Sequence, residues 1–246
     1  VRGNMNGMSP ALRTWIKVNL PPRWVVRLRC FARGLGSPRW GNLRRVRPFS
    51  DNFGFDRGTP LDRYYLHQFF QRHRAHITGR VLEIQNTGYT VRFGHDVIEA
   101  HTLDINPVFK PTYLCDLAHI DDCVPEGHYD CFLLPNTLCV LRDIERCLRN
   151  ALRIVRPGGV ILASTAALVP LTGDVPDYWH LSADGWRELT RRAWPDTTAQ
   201  VEGHGNCLAA VAAMLGLAHE ELDPAELNVY DARFPVLVTV FAHRSA

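Results

Sequence analysis

The 246-residue sequence predicts an open α/β sheet with helices on both faces, preceded by a basic helical extension. Three observations carry this expectation. Short apolar runs alternate with helix-periodic segments over residues 61–243, the order of a layered, largely parallel sheet. Leu148 to Leu162 reads as an amphipathic helix, a Pro157-Gly158-Gly159 turn and a short buried strand. Acids close three successive predicted strands, namely Glu83, Asp104 and Asp116, on the edge where open α/β sheets bind ligands.

In chain order, helices are expected near 10–20 and 22–34, inside an extension spanning 1–48. Residues 48–60, rich in Gly, Asp and Phe, read as a loop. A helix follows over 61–75, because Leu61, Tyr65, Leu66, Phe69 and Phe70 share one broad face. Short strands are expected over 80–84, 97–103, 112–115 and 129–134. A helix over 143–155 stops before Pro157, which cannot continue it, and a strand occupies 160–165. A loop with Pro170, Gly173 and Pro176 leads to a helix over 182–193. Residues 206–215 read as a helix and 235–243 as the last strand. The α/β domain is thus expected over 49–246.

Composition narrows the class. The length suffices for a full core. No apolar run reaches the ~18 residues of a membrane span, and Pro21-Pro22 with scattered arginines interrupts any signal-peptide core. The net charge of +3 hides an asymmetry: residues 1–47 hold eleven Arg or Lys and no Asp or Glu, so the remainder carries −8. A basic arm interleaved with Trp15, Trp24, Phe31 and Trp40 fits an anionic surface, a phosphorylated substrate, a nucleic acid or another copy of the acidic body, and equally a solvated tail. Seven cysteines without a Cys-x-x-Cys pair point to reduced thiols and a cytoplasmic setting, not to zinc. Cys131 and Cys139 lie in apolar runs and read as small core residues. Asp130 starts its strand instead of ending it, so no metal is expected.

The run Arg80-Val81-Leu82-Glu83-Ile84-Gln85-Asn86-Thr87-Gly88, the strand-end acids and the Pro-Gly-Gly connection together resemble the class I S-adenosylmethionine-dependent methyltransferases. The resemblance implies a Rossmann-like, seven-stranded open sheet with one antiparallel strand and S-adenosylmethionine as cofactor. It assigns the ribose to Asp104 beside Ile105, the adenine to Asp116 and Leu117, and the methyl-donor pocket to Asn136. Glu83, Gln85, Asn86 and Gly88 would form the loop under the methionine moiety. Relatives usually carry Gly-x-Gly there; here Gln85 replaces the first glycine, and Asn86 is expected to preserve the turn. Each acid also has a structural reading, as a cap or a turn starter.

A narrower resemblance extends over 49–243. Phe49-Ser50-Asp51-Asn52-Phe53-Gly54-Phe55-Asp56-Arg57-Gly58-Thr59-Pro60-Leu61-Asp62-Arg63-Tyr64-Tyr65 and Gly205-Asn206-Cys207-Leu208-Ala209-Ala210 are similar to a bacterial methyltransferase subgroup found with glycan and glycosyltransferase systems. It implies a sugar, glycan or other small-molecule acceptor. Arg57 or Tyr64 could hold the methionine carboxylate, or Arg57 could clamp Asp56 or Asp62. Relatives place a Tyr-Trp-Arg-Phe-like run over the acceptor pocket, where this chain reads Asp174-Val175-Pro176-Asp177-Tyr178-Trp179-His180-Leu181-Ser182. His180 is therefore the candidate base, with Tyr178, Trp179 and His204 as acceptor contacts. O-methylation leads and N-methylation stays open. The alternative is a methyltransferase-like fold with altered chemistry or a scaffold role in a biosynthetic assembly. Leu134-Pro135-Asn136-Thr137 lacks the Asn/Asp-Pro-Pro-Tyr/Phe motif, which argues against nucleobase amines and disfavours a nucleic-acid partner; a homo-oligomer stays open.

Overall fold

A computed structural model describes residues 9–36, 39–173 and 175–245; Arg2 and Asp174 lie outside them. The chain divides into two compact units, 1–46 and 47–246. The first contains helices α1 (Pro10–Asn19) and α2 (Pro22–Ala32). Each begins on a proline, whose fixed φ suits the first helical turn and whose missing N–H is no loss there. Ser9 caps α1 by accepting from Leu12 N–H at 3.3 Å.

The second unit holds a seven-stranded sheet: β1 (Gly79–Ile84), β2 (Val97–Asp104), β3 (Tyr113–Leu114), β4 (Tyr129–Leu134), β5 (Val155–Ala166), β6 (Thr198–His204) and β7 (Leu237–His243). Their order is β3-β2-β1-β4-β5-β7-β6. Strands β1 to β5 pair in parallel, and β7 runs antiparallel to both β5 and β6. The helices are α3 (Leu61–Arg72), α4 (Gly88–Phe93), α5 (Ile144–Ile154), α6 (Ala183–Ala193), α7 (Cys207–Met214) and α8 (Pro224–Leu227). Among the described residues no helix is long and apolar enough to cross a membrane.

Period-two alternation splits each central strand between two cores. Phe132 and Leu134 of β4, with Leu82 and Ile161, face α5 and α6 and their Leu148, Ile154 and Trp186. Cys131 and Leu133, with Val81 and Leu162, face α3 and α7, where Leu66, Phe70 and Ala209 lie. Covering both faces explains why the central strands read as continuous apolar runs. The polar ends of the large side chains are paired: Trp186 Nε1 donates to Thr165 Oγ1 at 2.7 Å, and Trp194 Nε1 to Leu148 O at 2.7 Å. Asp143, Ser182 and Asn206 cap α5, α6 and α7.

Three features differ from the sequence expectations. Pro157-Gly158-Gly159 is not a separating turn: β5 begins at Val155 and runs through it. Tyr129 pairs with Val155 and Cys131 with Val160, so the extra residues bulge out of the ladder. Gly158 takes φ +78°, and a Cβ on Gly159 would lie 2.8 Å from Asp130 O, so the bulge requires both glycines. Helices α4 and α8 and strand β6 were not expected, and the unit boundary falls at 46/47, two residues before the expected 48/49.

Candidate functional site: two adjoining pockets at the strand ends

After β1 the chain moves outward through β2 to β3, then returns to β4 on the other side of β1. Ligands of open α/β sheets bind at this switch, beyond the carboxyl ends of the strands. A cleft of about 480 Å³ opens there, lined by Arg63, Glu83, Gln85, Asn86, Gly88, Tyr89, Asp104 and Asn136 among others.

Glu83 closes β1 and is 1% exposed. It accepts from Tyr89 N–H at 3.0 Å, Thr90 N–H at 2.8 Å and the Thr90 hydroxyl at 2.7 Å. A buried carboxylate thus anchors the start of α4, and this is its capping reading realised on the cleft wall. Burial raises its pKa, opposed by these three donors. The loop between β1 and α4 turns on Gln85, at φ +70°. Asn86, expected to supply the left-handed residue, does not take positive φ; its Oδ1 accepts from Gly88 N–H at 2.9 Å instead. Gln85 Oε1 accepts from Asn86 Nδ2 at 3.3 Å.

Asp104 closes β2. Its Oδ1 accepts from Asn106 N–H at 2.7 Å, and no described residue bonds Oδ2. That leaves a carboxylate oxygen on the cleft, suited to a pair of ribose hydroxyls. Asn136 follows β4 at φ +46°. Its N–H donates to Ser164 O at 2.9 Å, its Nδ2 to Asp62 Oδ2 at 2.7 Å, and its Oδ1 accepts from Ser164 Oγ at 3.0 Å. Arg63 pairs with the same Asp62 oxygen at 2.9 Å.

Arg63 and Asn136 also line a second pocket of about 180 Å³, which the cleft therefore adjoins. Its wall is mostly apolar, with Phe53, Phe55, Leu61, Cys139, Val169 and Pro170, plus Asp62, Asp177 and His180. Burial and the nearby Asp177 charge push the Cys139 thiol up to about 11, so it remains protonated. His180 is held on both sides: Nδ1 lies 2.8 Å from Ala167 O and Nε2 3.3 Å from Asp177 Oδ2. Both ring nitrogens are therefore engaged by protein groups, with Nδ1–H donating to the Ala167 carbonyl, which can only accept.

Several expected site residues lie elsewhere. The Arg57 guanidinium forks onto Glu221, with Nε to Oε2 at 3.0 Å; its partner is neither Asp56, Asp62 nor a cleft ligand. Tyr64 donates its hydroxyl to Asn228 Oδ1 at 3.1 Å. Trp179 donates its indole N–H to Leu141 O at 2.9 Å, and the Tyr178 hydroxyl accepts from Arg142 at 3.4 Å, so neither ring lines the second pocket. His204 lies on another surface hollow, bonded to Thr239 Oγ1 at 2.7 Å and stacked on Tyr65. Ile105 is 66% exposed and Leu117 only 2%, neither lining the cleft. Asp116 Oδ1 accepts from Ala118 N–H at 2.8 Å, the turn its structural reading describes. Sequence reasoning passed over Asp62, Arg63, Tyr89 and Asp177. Arg63 had a signal, an Asp-Arg pair in the first turn of the helix preceding β1. Among the described residues no cluster of three or more His, Cys, Asp or Glu could hold a metal.

A family model described as a methyltransferase domain matches residues 88–163, from the start of α4 to the middle of β5. This stretch is a methyltransferase-domain match. It indicates S-adenosylmethionine as the cofactor. No curated protein matches the chain by sequence. Among solved structures, the [4+2]-cyclase SpnF shares the fold with a TM-score of 0.50 at 14% identity, over 82% of this chain and 89% of that one. An S-adenosylmethionine-dependent methyltransferase from Mesorhizobium loti is 16% identical over 75% of this chain and all of its own, TM-score 0.49. The N-methyltransferase NodS from Bradyrhizobium japonicum, solved with S-adenosylhomocysteine, is 11% identical over 80% and 93%, TM-score 0.48.

Proposed function

We propose that this protein transfers a methyl group from S-adenosylmethionine to a hydroxyl or amine of a small molecule seated in the second pocket. The observation that carries the reading is the shared wall: Arg63 and Asn136 border both pockets, so a donor in one meets an acceptor in the other. Bound S-adenosylmethionine supplies an electrophilic methyl, and the chain's part is alignment and proton removal. Asp104 would hold the ribose. Arg63, with Asp62 and Asn136 fixing it, would take the methionine carboxylate in place of Arg57. The largely apolar second pocket favours a compact acceptor; a bare sugar would bury hydroxyls that its wall leaves unpaired.

A second reading, a methyltransferase-like fold turned to other chemistry, draws on Gln85, which adds a side chain where relatives have glycine. SpnF, named a cyclase, is a precedent for such a change on this fold. The basic 1–46 unit, with Trp15, Trp24 and Phe31 exposed, suits an anionic lipid surface as partner.

Calorimetric titration with S-adenosylhomocysteine tests the reading. Asp104→Ala removes two charge-assisted hydrogen bonds, together about 3 kcal/mol, so affinity falls by about 100-fold. Wild-type protein that binds neither S-adenosylmethionine nor S-adenosylhomocysteine ends the proposal.

A further inference from the structure

We infer that Asp177, not His180, is the group that meets the acceptor, and that the second pocket takes a compact apolar molecule bearing one hydroxyl, of the phenol class. The inference deepens the methyl-transfer reading above and rests on it. The Asp177 side chain is 6% exposed and stands on the wall of the second pocket. Its two oxygens are treated differently. Oδ2 lies 3.3 Å from His180 Nε2 and accepts from Thr172 N–H at 3.4 Å. Oδ1 is buried and has no protein partner, the one such side-chain atom among the described residues. Buried polar atoms are almost always paired, and an exception on a pocket wall marks where a ligand's donor belongs.

The surroundings specify the rest of the ligand. Ala167 O and Asp177 Oδ2 engage the two nitrogens of His180, so both face protein groups. It acts as a positioning residue that holds the carboxylate edge-on. Phe53, Phe55, Leu61 and Val169 offer an apolar seat, and among the described residues Asp177 Oδ1 is the one fully buried side-chain atom left without a partner. A molecule with one donor on an apolar body matches Oδ1 and this seat. In the transfer, the acceptor oxygen forms a C–O bond to the methyl carbon as the C–S bond breaks. The C–S electron pair stays on sulfur, and the O–H proton passes to Asp177 Oδ1. The products are a methyl ether, a neutral thioether and a protonated carboxyl.

The test is calorimetric binding of phenol and of toluene to the full-length chain saturated with S-adenosylhomocysteine. The two probes differ in the hydroxyl that Oδ1 would receive. Phenol is expected to bind at least about tenfold more tightly than toluene, since an unpaired site atom penalises the analogue that lacks its partner. Asp177→Leu is similar in size and offers the phenol hydroxyl neither an acceptor nor a donor. There the preference is expected to disappear, while toluene binds at least as well as in wild type and S-adenosylhomocysteine affinity is unchanged. Equal binding of phenol and toluene by wild type, no phenol binding, or a preference that survives Asp177→Leu overturns the inference. The wild-type comparison decides even if the variant misfolds. S-adenosylhomocysteine binding, measured first, reports on the methyl-transfer reading separately.

Discussion

Gln85 offers a test in which the usual sign of a glycine substitution reverses. Its φ of +70° lies in the left-handed region, where a Cβ crowds the following carbonyl and costs about 1–2 kcal/mol. Glycine removes that cost but adds unfolded-state entropy of about 0.4–1 kcal/mol. The side chain itself contributes little, one 3.3 Å hydrogen bond to the neighbouring Asn86. Gln85→Ala loses that bond and keeps the strain, so it is the matched control. Gln85→Gly is expected to exceed Gln85→Ala in stability by about 0.5–1 kcal/mol, a Tm difference of roughly 1–4 °C for a chain of this size. Urea unfolding of the two variants measures the difference. Because Gln85 lines the cleft, the glycine variant is also expected to bind S-adenosylhomocysteine more tightly than wild type. If Gln85→Ala equals or exceeds Gln85→Gly, as at an ordinary loop residue, the left-handed turn is not where the first loop carries its strain.

Arg57→Ala is expected to leave S-adenosylhomocysteine affinity unchanged and cost less than about 1 kcal/mol of stability, because its Glu221 pair is solvent-accessible. Arg63→Ala is expected to weaken the same affinity by about tenfold, the loss of one charge-assisted contact; calorimetry on both variants separates the two arginines. Burial holds His204 at a pKa of about 4, below the 6.5 of a free imidazole, so the unfolded chain binds its proton more readily between those values. Stability therefore falls as pH drops from about 6.5 to 4, by up to about 3 kcal/mol from this residue, and melting curves of His204→Gln should lack that share. His67, also lowered to about 4 by burial and Arg92, keeps part of the slope in that variant. Reversing Arg23, Arg27 and Arg29 to Glu is expected to weaken co-sedimentation with phosphatidylglycerol vesicles by at least about 100-fold at low salt, at ~1 kcal/mol per basic charge. Unchanged sedimentation would remove the lipid surface as partner.

The central sheet was legible because burial on both faces writes itself as apolar runs; β4 occupies the expected 129–134. Strand β6 was not legible. It lies at the sheet edge, where only Ala199 and Val201 pack against the core between exposed Thr198, Gln200 and Glu202, too little apolar signal to read as a strand. Helix α4 was missed because it is six residues long, opens on Gly88 and carries β-branched Thr90 and Val91; the carboxylate of Glu83, from the preceding strand, holds its first turn. The strand-end acids could be named from position alone. Their occupation could not: Asp116 is spent on a local turn, and Asp104 keeps one oxygen for the cleft. The acceptor side was the least legible, since His180 is set by Ala167 O, thirteen residues away, and Arg57 by Glu221, 164 residues away.

Strand β7 lies between β5 and β6, although it follows both in the sequence. During synthesis β6 has no neighbour until residues 237–243 emerge, whereas β1 to β5 can already pair with one another. The nascent chain must therefore carry an open β5 edge and an unpaired β6 segment until β7 arrives, a template for intermolecular pairing in the meantime. Removing residues 237–245 would not trim an edge. It would cut the sheet in two, stranding β6 and α6 together.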